Sequence, residues 1–239
     1  MSNLEGKTIV ITGASRGIGK AIANSFLQSG MNMALIARNE IELKELQLSV
    51  HAKGSNCKIY SGSVSDELFV NSTFRDILGC FGNIDIMVNN AGKGIFKSVE
   101  DTSTEDWETI FATNTKGTFL CCKAVIPGMK QQKAGHIINI ASDVAKRTFA
   151  GGSLYCASKY AQDAFSMALR KELRPFGIKV SVVYSGLVDS SFHKEPQGAE
   201  GHKDWLHNED MANAVLYIAS QPAHVVIDEL MIHPLSQDY

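Results

Sequence analysis

The sequence lacks an excess of charge of either sign. Its 23 Lys and Arg residues nearly balance 25 Asp and Glu residues, so that the formal net charge is −2, and no long basic run occurs. A protein surface that binds nucleic acid or an acidic membrane needs a basic patch. We therefore expect neither partner, and a small molecule is the better candidate.

Cysteine is scarce and carries no pattern. The five cysteines are odd in number, show no C-x-x-C spacing and form no cluster with histidine. Disulfide frameworks use even numbers of cysteines, and zinc sites use regularly spaced Cys and His ligands. We expect reduced thiols in the core and no metal.

Long apolar runs are also missing. None approaches the roughly 20 residues that span a membrane, and residues 1–7 lack the basic and apolar regions of a signal peptide. We therefore predict a cytoplasmic protein. Since one α/β domain can reach 239 residues and no linker interrupts the chain, residues 1–239 are predicted to form a single domain.

What the sequence does contain is an alternation of short β-branched runs and long amphipathic segments. Apolar strands separated by helices indicate a parallel sheet covered on both faces. The predicted fold is therefore α/β, a Rossmann-like, doubly wound, seven-stranded parallel sheet. The predicted strands are 8–12, 33–37, 57–60, 84–88, 136–140, 179–183 and 225–232, and the predicted helices are 17–29, 40–51, 66–81, 104–131, 154–174 and 208–220. The polar segment 187–208 is predicted to be a mobile loop over the site.

A glycine-rich turn follows the first strand. Glycines there permit a tight turn and close backbone approach, and the next helix points its N-terminus at a pyrophosphate. An ordinary strand-to-helix loop is the alternative, but a position after the first strand of an α/β chain favours a dinucleotide. The predicted contacts of this turn are Gly13, Ser15, Arg16, Gly17, Ile18 and Gly19.

The second strand indicates which dinucleotide would bind. An NAD site places a carboxylate after this strand to bind the ribose 2′-hydroxyl, whereas this chain has Ala37-Arg38. A guanidinium suits a 2′-phosphate, and Arg16 offers a second positive charge. The sequence therefore predicts NADP(H) rather than NAD(H).

Several motifs together resemble those of the short-chain dehydrogenase/reductase family. They are the T-G-x-x-x-G-x-G spacing from Thr12, the Asn-Asn-Ala-Gly element at 89–92 and the Tyr155-x-x-x-Lys159 pair. Ser142 and Asn114 match the two other catalytic positions of the family, and the resemblance covers residues 6–234. It implies interconversion of a ketone and a secondary alcohol, with Asn114, Ser142, Tyr155 and Lys159 as catalytic residues.

These four side chains suit proton transfer. Tyr155 and Lys159 are four residues apart and share a helix face, where a nearby ammonium lowers a phenol pKa from about 10. Ser142 ends the fifth strand, at the sheet edge where ligands bind. Asn114 is a mediocre helix former inside a long helical pattern, which predicts a local distortion. By resemblance, Asn114 holds a water that links Lys159 to solvent.

The resemblance also implies further cofactor contacts and shows two departures. Ser63 stands where the family has an aspartate that faces adenine. Ser185 replaces the proline of a Pro-Gly-x-Val element, so that the loop is predicted to be less rigid and cofactor affinity modestly weaker. The added contacts are Ser63, Val64, Asn90, Ala91, Gly92, Tyr155, Lys159, Gly186 and Val188.

The substrate is left open between two branches of the family. The C-terminal part resembles NADP-dependent 3-hydroxy acid dehydrogenases, and the middle resembles 3-oxoacyl carrier-protein reductases. Candidate pocket walls are 93–96, 143–145, 149–152 and 187–206, and the cations His193, Lys194, His202 and Lys203 could meet a carboxylate or phosphate, although such loop charges are more often solvated.

Other classes of function remain possible at this point. A catalytically silent NADP(H)-binding sensor or scaffold is the main alternative, although the complete set of four catalytic positions argues against it. A sugar-nucleotide epimerase would need an additional domain, for which the chain has no length. The resemblance further implies a homodimer or homotetramer.

Overall fold

Seven short β-branched segments form one all-parallel sheet in the computed structural model, which describes residues 4–192 and 195–238. The strands are β1 (Thr8–Thr12), β2 (Asn32–Ala37), β3 (Cys57–Ser61), β4 (Ile86–Asn89), β5 (Gly135–Ser142), β6 (Ile178–Ser185) and β7 (Glu229–Ile232). Their order is β3-β2-β1-β4-β5-β6-β7. The predicted seven-stranded, Rossmann-like α/β fold is confirmed.

Seven helices of the described residues cover the two faces of the sheet. They are α1 (Gly17–Ser25), α2 (Glu40–Ala52), α3 (Glu67–Phe81), α4 (Thr104–Phe111), α5 (Gly117–Gln132), α6 (Ser153–Leu173) and α7 (Asn208–Ala219). Side-chain caps explain where three of the helices begin. Asn39 and Asp66 accept backbone N–H groups in the first turns of α2 and α3, and Ser103 forms a capping box with Asp106 at the start of α4. A hydrophobic core lies on each face of the sheet. Because side chains of a strand alternate between the faces, Ile9 and Ile11 of β1 pack into one core and Val10 packs into the other.

The strand order creates the site. The chain runs outward from β1 to β3 and then returns to the other side of β1 at β4. Loops after β1 and β4 therefore diverge, and a crevice opens at the carboxyl edge of the sheet, where open α/β sheets bind ligands. The glycine-rich turn follows β1 and the Asn90-Ala91-Gly92 segment follows β4. The predicted cofactor motifs thus lie on facing sides of this crevice.

The predicted helix 104–131 is divided in three. Between α4 and α5, residues Ala112–Lys116 form one turn of π-helix centred on Asn114. The distortion predicted at Asn114 is therefore confirmed. A π-turn inserts one extra residue per hydrogen-bonded ring, which changes the direction in which side chains leave the helix.

Three other expectations need correction. The last strand was predicted to start at residue 225 but begins at Glu229, and the carbonyl of Val225 accepts from Lys179 Nζ at 3.2 Å instead. The fourth strand begins at Ile86 rather than at residue 84. The N–H of Asp85 does donate to the Thr8 carbonyl, but Asp85 precedes the regular pairing of β4 with its neighbours. Cys80 is exposed, whereas the other four cysteines are buried as predicted.

Within the described ranges, no helix is both long enough and apolar enough to cross a membrane. The same ranges contain no group of three or more His, Cys, Asp or Glu side chains arranged to hold a metal ion.

Candidate active site

The glycine-rich turn after β1 is held in a conformation that glycine favours. Gly13 and Gly17 have φ angles of +65° and +54°. A Cβ atom on Gly19 would lie 2.2 Å from the carbonyl oxygen of Gly13, so α1 packs against the turn at a distance only glycine permits. The backbone N–H groups at the start of α1 therefore face the crevice, as a pyrophosphate requires.

Asn90 fixes this turn from the other side of the crevice. Its side-chain amide donates to the carbonyls of Thr12 and Gly13 at 3.0 and 3.3 Å. The Thr12 hydroxyl oxygen accepts the backbone N–H groups of Asn90 and Ala91 at 3.0 and 3.1 Å. The segments after β1 and β4 are thus bound together, and the crevice between them has defined walls.

A cavity of about 440 Å³ fills the crevice, and three cationic side chains and one carboxylate, that of Glu42, line it. Arg16 and Arg38 line it, and within residues 4–192 and 195–238 neither forms an ion pair with a carboxylate. Lys93 also lines it, although the sequence predicted this residue as a substrate-pocket wall. Burial and the charge of Arg38 lower the pKa of Lys93. Three cations around one cavity would favour a polyanionic ligand.

Most predicted cofactor residues line this cavity, and a few do not. Those that line it are Gly13, Ser15, Arg16, Gly17, Ile18, Arg38, Ser63, Val64, Asn90, Ala91 and Gly92. Gly19 lies beneath the turn instead. Gly186 borders the neighbouring pocket described below, and Val188 is buried in the core, where it pairs with Leu206 in an isolated parallel bridge. Gly186 and Val188 therefore lie outside the lining of this cavity, and their contact with the nicotinamide end of a cofactor stays a prediction.

Tyr155 and Lys159 lie on the inner face of α6, and both are buried. The Lys159 Nζ is 5.8 Å from the centroid of the Tyr155 ring. Burial lowers the pKa of Lys159 to about 8. Burial also raises the pKa of Tyr155, a hydrogen bond with Ser142 opposes that rise, and the charge of Asp143 adds to it. The expected lowering of the Tyr155 pKa is therefore not seen, because desolvation outweighs the favourable neighbours.

Ser142 stands at the end of β5 beside Tyr155. Its hydroxyl is 3.0 Å from the Oδ1 atom of Asp143 and 3.2 Å from the carbonyl oxygen of Ser185, and it can donate to either. These acceptors orient the hydroxyl oxygen toward the Tyr155 phenol. The two hydroxyl groups can therefore bind one oxygen atom of a ligand together.

Lys159 is held by two acceptors. Its Nζ donates to the Ile140 carbonyl at 3.0 Å and to Gln162 Oε1 at 3.1 Å. The Gln162 amide donates in turn to Thr118 Oγ1 at 3.0 Å, and that hydroxyl donates to the Asn114 carbonyl at 2.9 Å. A buried polar chain thus joins Lys159 to the π-turn. Sequence reasoning missed Gln162, although a glutamine three residues after Lys159, on the same face of the helix, was a usable signal.

Asn114 uses its side chain to fix the segment after β4. Its Oδ1 accepts the Lys93 backbone N–H at 2.9 Å, and its Nδ2 donates to the Lys93 carbonyl at 2.9 Å and to Ser158 Oγ at 3.0 Å. Gly92 lies between Asn114 and Lys159, because a Cβ atom there would be 3.5 Å from Asn114 Oδ1 and 3.9 Å from Lys159 Nζ. The four predicted catalytic side chains are therefore brought to one region.

A second pocket, of about 360 Å³, opens beside Tyr155 and shares Ser190 and Phe192 with the cofactor cavity. Its walls are largely aromatic. The Tyr155 ring centroid is 5.4 Å from that of Phe96 and 5.6 Å from that of Phe192, and Phe149 lies 6.0 Å from Phe96. We call this the aromatic pocket. It adjoins the only tyrosine–lysine pair predicted from the sequence and is therefore the candidate substrate site.

One end of the aromatic pocket is polar and is organised by Asp143. This carboxylate is 3% exposed and accepts from Arg147 Nε and from Gln237 Nε2, each at 2.8 Å. The Gln237 side chain also accepts the Leu187 N–H at 2.8 Å. Trp205 lies within the predicted wall 187–206, whereas nothing in the sequence pattern pointed to Arg147 or Gln237 as pocket residues.

The predicted loop cations do not line the aromatic pocket in the described residues. His202 is buried, its Nδ1 lies 2.9 Å from Asp189 Oδ1, and its ring stacks on Trp205 at 3.8 Å. Lys203 is exposed and does not border the pocket. His193 and Lys194 lie outside the described residues.

Comparisons with known proteins agree with this geometry. A family model described as short chain dehydrogenase matches residues 7–200. A protein of Staphylococcus epidermidis, named only as an uncharacterized oxidoreductase, is 34% identical over 98% of this chain and 100% of its own length. A similarly named protein of Staphylococcus aureus is 32% identical over 98% of this chain and its whole length.

Solved structures share the fold over nearly the whole chain. An alcohol dehydrogenase from the archaeon Thermococcus sibiricus, complexed with 5-hydroxy-NADP, superposes with a TM-score of 0.92 at 30% identity and 98% coverage of both chains. The closed form of a serine dehydrogenase complexed with NADP⁺ gives a TM-score of 0.90 at 33% identity, covering 97% of this chain and 96% of that chain.

Proposed function

The chain belongs to the short-chain dehydrogenase family of oxidoreductases, and from this premise we propose that it is an NADP(H)-dependent enzyme that interconverts a ketone and a secondary alcohol. One observation carries the proposal: Ser142 and Tyr155 border an aromatic pocket that is continuous, through Ser190 and Phe192, with the cavity after β1 and β4. A carbonyl bound by the two hydroxyls would therefore lie next to a dinucleotide in that cavity.

The choice of NADP(H) rests on charge. Arg16, Arg38 and Lys93 surround the cofactor cavity, and an additional phosphate would satisfy cations that no described carboxylate neutralises. Structures of similar proteins have been solved with NADP⁺ or 5-hydroxy-NADP. The glycine-rich turn and the close contact of Gly19 with Gly13 fit the pyrophosphate of either nicotinamide dinucleotide. The proposed preference for NADP(H) over NAD(H) therefore rests on the cations.

The residues of the site have distinct proposed roles. A bound nicotinamide dinucleotide supplies or accepts the hydride. Ser142 and Tyr155 bind the substrate oxygen, and Tyr155 gives it a proton during reduction or takes one during oxidation. Lys159 holds positive charge close to the phenol and so favours its loss of a proton. Asn114 positions the segment after β4 and, through Thr118 and Gln162, one acceptor of Lys159.

The 3-oxo/3-hydroxy class is the proposed substrate class. The sequence resembles 3-hydroxy acid dehydrogenases and 3-oxoacyl carrier-protein reductases, and one similar structure is that of a serine dehydrogenase, and serine carries a 3-hydroxyl group. A pocket of about 360 Å³ falls within the range of small-molecule sites.

The test is NADPH oxidation, followed by absorbance, with 3-oxo esters, diketones and aryl ketones. We expect turnover, and we expect Tyr155→Phe to lower kcat by about a hundredfold to ten-thousandfold, the usual effect of a positioned acid–base group. Tyr160→Phe is the matched control, since Tyr160 lies on the same helix but is 42% exposed. NADPH binding without turnover of any ketone would contradict the proposal and favour a silent sensor.

A homodimer or homotetramer is part of the proposal. Several large apolar side chains on α4, α5 and α6 are exposed: Trp107, Phe119, Tyr160 and Met167. Apolar groups collected on neighbouring helices commonly mark a subunit interface. Light scattering at micromolar concentration should give a mass of two or four chains, and a monomer would contradict this part.

A further inference from the structure

The aromatic pocket offers little to a negatively charged substrate. Phe96, Phe149, Phe192 and Trp205 form its walls, together with the ring of Tyr155. Aromatic walls bind apolar groups through area burial and ring contacts, and they exclude the water that would solvate a charge. A substrate group that enters beyond the reacting carbonyl therefore meets a largely apolar surface.

The cation at this pocket is already neutralised. Among residues 4–192 and 195–238, Arg147 is the one Lys or Arg side chain that lines the pocket. Its Nε and a terminal nitrogen both donate to Asp143 Oδ2, and Asp143 is almost fully buried. A substrate carboxylate at this position would have to displace the Asp143 carboxylate from Arg147 or lie beside it, and two carboxylates in one buried site repel each other.

From these observations, and resting on the proposed function, we propose that the substrate is a neutral ketone or alcohol bearing an aryl or alkyl group, with any 3-oxoacyl function present as an ester or thioester. Free 3-oxo and 3-hydroxy acids are excluded by the Asp143–Arg147 pair. The aromatic walls hold the apolar group, and Ser142 and Tyr155 hold the reacting oxygen. Of the two branches of the family that the sequence resembles, this assignment favours the reductases of 3-oxoacyl thioesters over the dehydrogenases of free 3-hydroxy acids.

Matched substrate pairs test the assignment. The oxidation of racemic ethyl 3-hydroxy-3-phenylpropanoate by NADP⁺ is compared with that of the free acid, and ethyl 3-hydroxybutanoate is compared with 3-hydroxybutanoate. The two members of each pair differ in the charge of the carboxyl group and in the ethyl group of the ester. We expect kcat/KM to be at least about a hundredfold higher for each ester, since an unpaired charge in a buried apolar site is strongly disfavoured. Equal values, or a preference for the acids, would overturn the assignment.

Two variants locate the cause of the preference. Asp143→Asn removes the carboxylate that neutralises Arg147, so the ester-to-acid ratio should fall at least tenfold even if kcat for both substrates drops through the contact with Ser142. Phe149→Ala should lower kcat/KM for the phenyl ester relative to the butanoate ester and leave the ester-to-acid ratio unchanged. An unchanged ratio in Asp143→Asn would contradict the role given to the Asp143–Arg147 pair.

The outcomes separate this assignment from the proposed function. Turnover that favours the acids would overturn the neutral substrate class and leave the ketone/alcohol activity intact. Loss of that acid preference in Lys194→Met would assign the recognition of the carboxylate to Lys194 and would also overturn the assignment. No turnover of any ester, acid or simple ketone would overturn the proposed function together with this inference.

Discussion

Replacing Gln162 with Met tests whether this amide keeps the Lys159 ammonium charged. Gln162 Oε1 accepts from Nζ at 3.1 Å, and the two side chains are 1% and 6% exposed. A hydrogen bond to a charged group contributes about 1.5 to 3 kcal/mol. Met has a similar volume but no comparable acceptor, so the charged form of Lys159 should lose about that much, roughly a tenfold to hundredfold change in its acid dissociation constant.

The direction of the effect follows from burial. Burial already lowers the pKa of Lys159 to about 8, and loss of the acceptor lowers it further. At pH values where the ammonium becomes neutral, Tyr155 loses the positive charge that favours proton release. We therefore expect kcat for ketone reduction to match that of the parent near pH 5 and to fall below it progressively as the pH rises toward about 8.

The assay is the pH profile of kcat under saturating NADPH and ketone. Gln162→Glu places a carboxylate beside Nζ and should move the alkaline limb to higher pH, because an opposite charge favours the ammonium. Thr118→Val removes the partner that positions Gln162 but leaves both acceptors of Lys159 in the chain, so it should shift the alkaline limb in the same direction by less than Gln162→Met. If Gln162→Met only lowers kcat by a constant factor at every pH, Gln162 is structural and the reasoning is refuted.

Three further predictions concern the cofactor cavity and the sheet. Arg38→Leu should raise KM for NADPH about tenfold to hundredfold and leave KM for NADH unchanged in initial-rate assays, since a charge-assisted bond to phosphate is lost; equal effects on both cofactors would contradict the NADP(H) assignment. Gly19→Ala should lower the free energy of unfolding in urea by about 1 to 3 kcal/mol, because the new Cβ meets the Gly13 carbonyl; an unchanged midpoint would show that the turn can relax. Burial lowers the pKa of His136 to about 3, so the unfolded state binds the extra proton, and the stability of the parent should fall by about 1.4 kcal/mol per pH unit below about 6.5. His136→Asn, which cannot titrate, should make the free energy of unfolding depend less on pH in urea titrations at several pH values. An unchanged pH dependence would assign the loss of stability to other groups.

Features that depend on neighbouring residues in the chain could be predicted from the sequence. β-branched runs between amphipathic segments identified all seven strands, and the glycine spacing after Thr12 identified the turn because the close packing of α1 on Gly13 leaves no room for a side chain. The distortion at Asn114 was also local, since asparagine is a mediocre helix former within a long helical pattern. In each case the physical cause lies within a few residues of the signal.

Features that depend on distant segments could not be predicted. Gln237 and Arg147 approach the aromatic pocket from the C-terminal segment and the turn after β5. Lys93 was placed among the pocket walls because it precedes Phe96 in the sequence, yet Asn114 binds its backbone and its side chain lies with Arg38. Desolvation of Tyr155 is a property of the assembled core, and no sequence spacing reports it.

The departure at Ser185 shows how a distant segment can replace a local signal. With serine in place of proline, the loop after β6 was predicted to be less rigid, but proline is only one way to restrict a backbone. Here Gln237 binds the Leu187 N–H through its side-chain oxygen and Asp143 through its side-chain nitrogen, and a Cβ on Gly186 would lie 2.3 Å from Gln237 Oε1. The Ser185 carbonyl is also within reach of the Ser142 hydroxyl. The C-terminal segment thus contacts the loop and connects it to Asp143, an acceptor of the Ser142 hydroxyl, through packing that only the folded chain creates. The lower rigidity and the weaker cofactor affinity expected from Ser185 stay predictions.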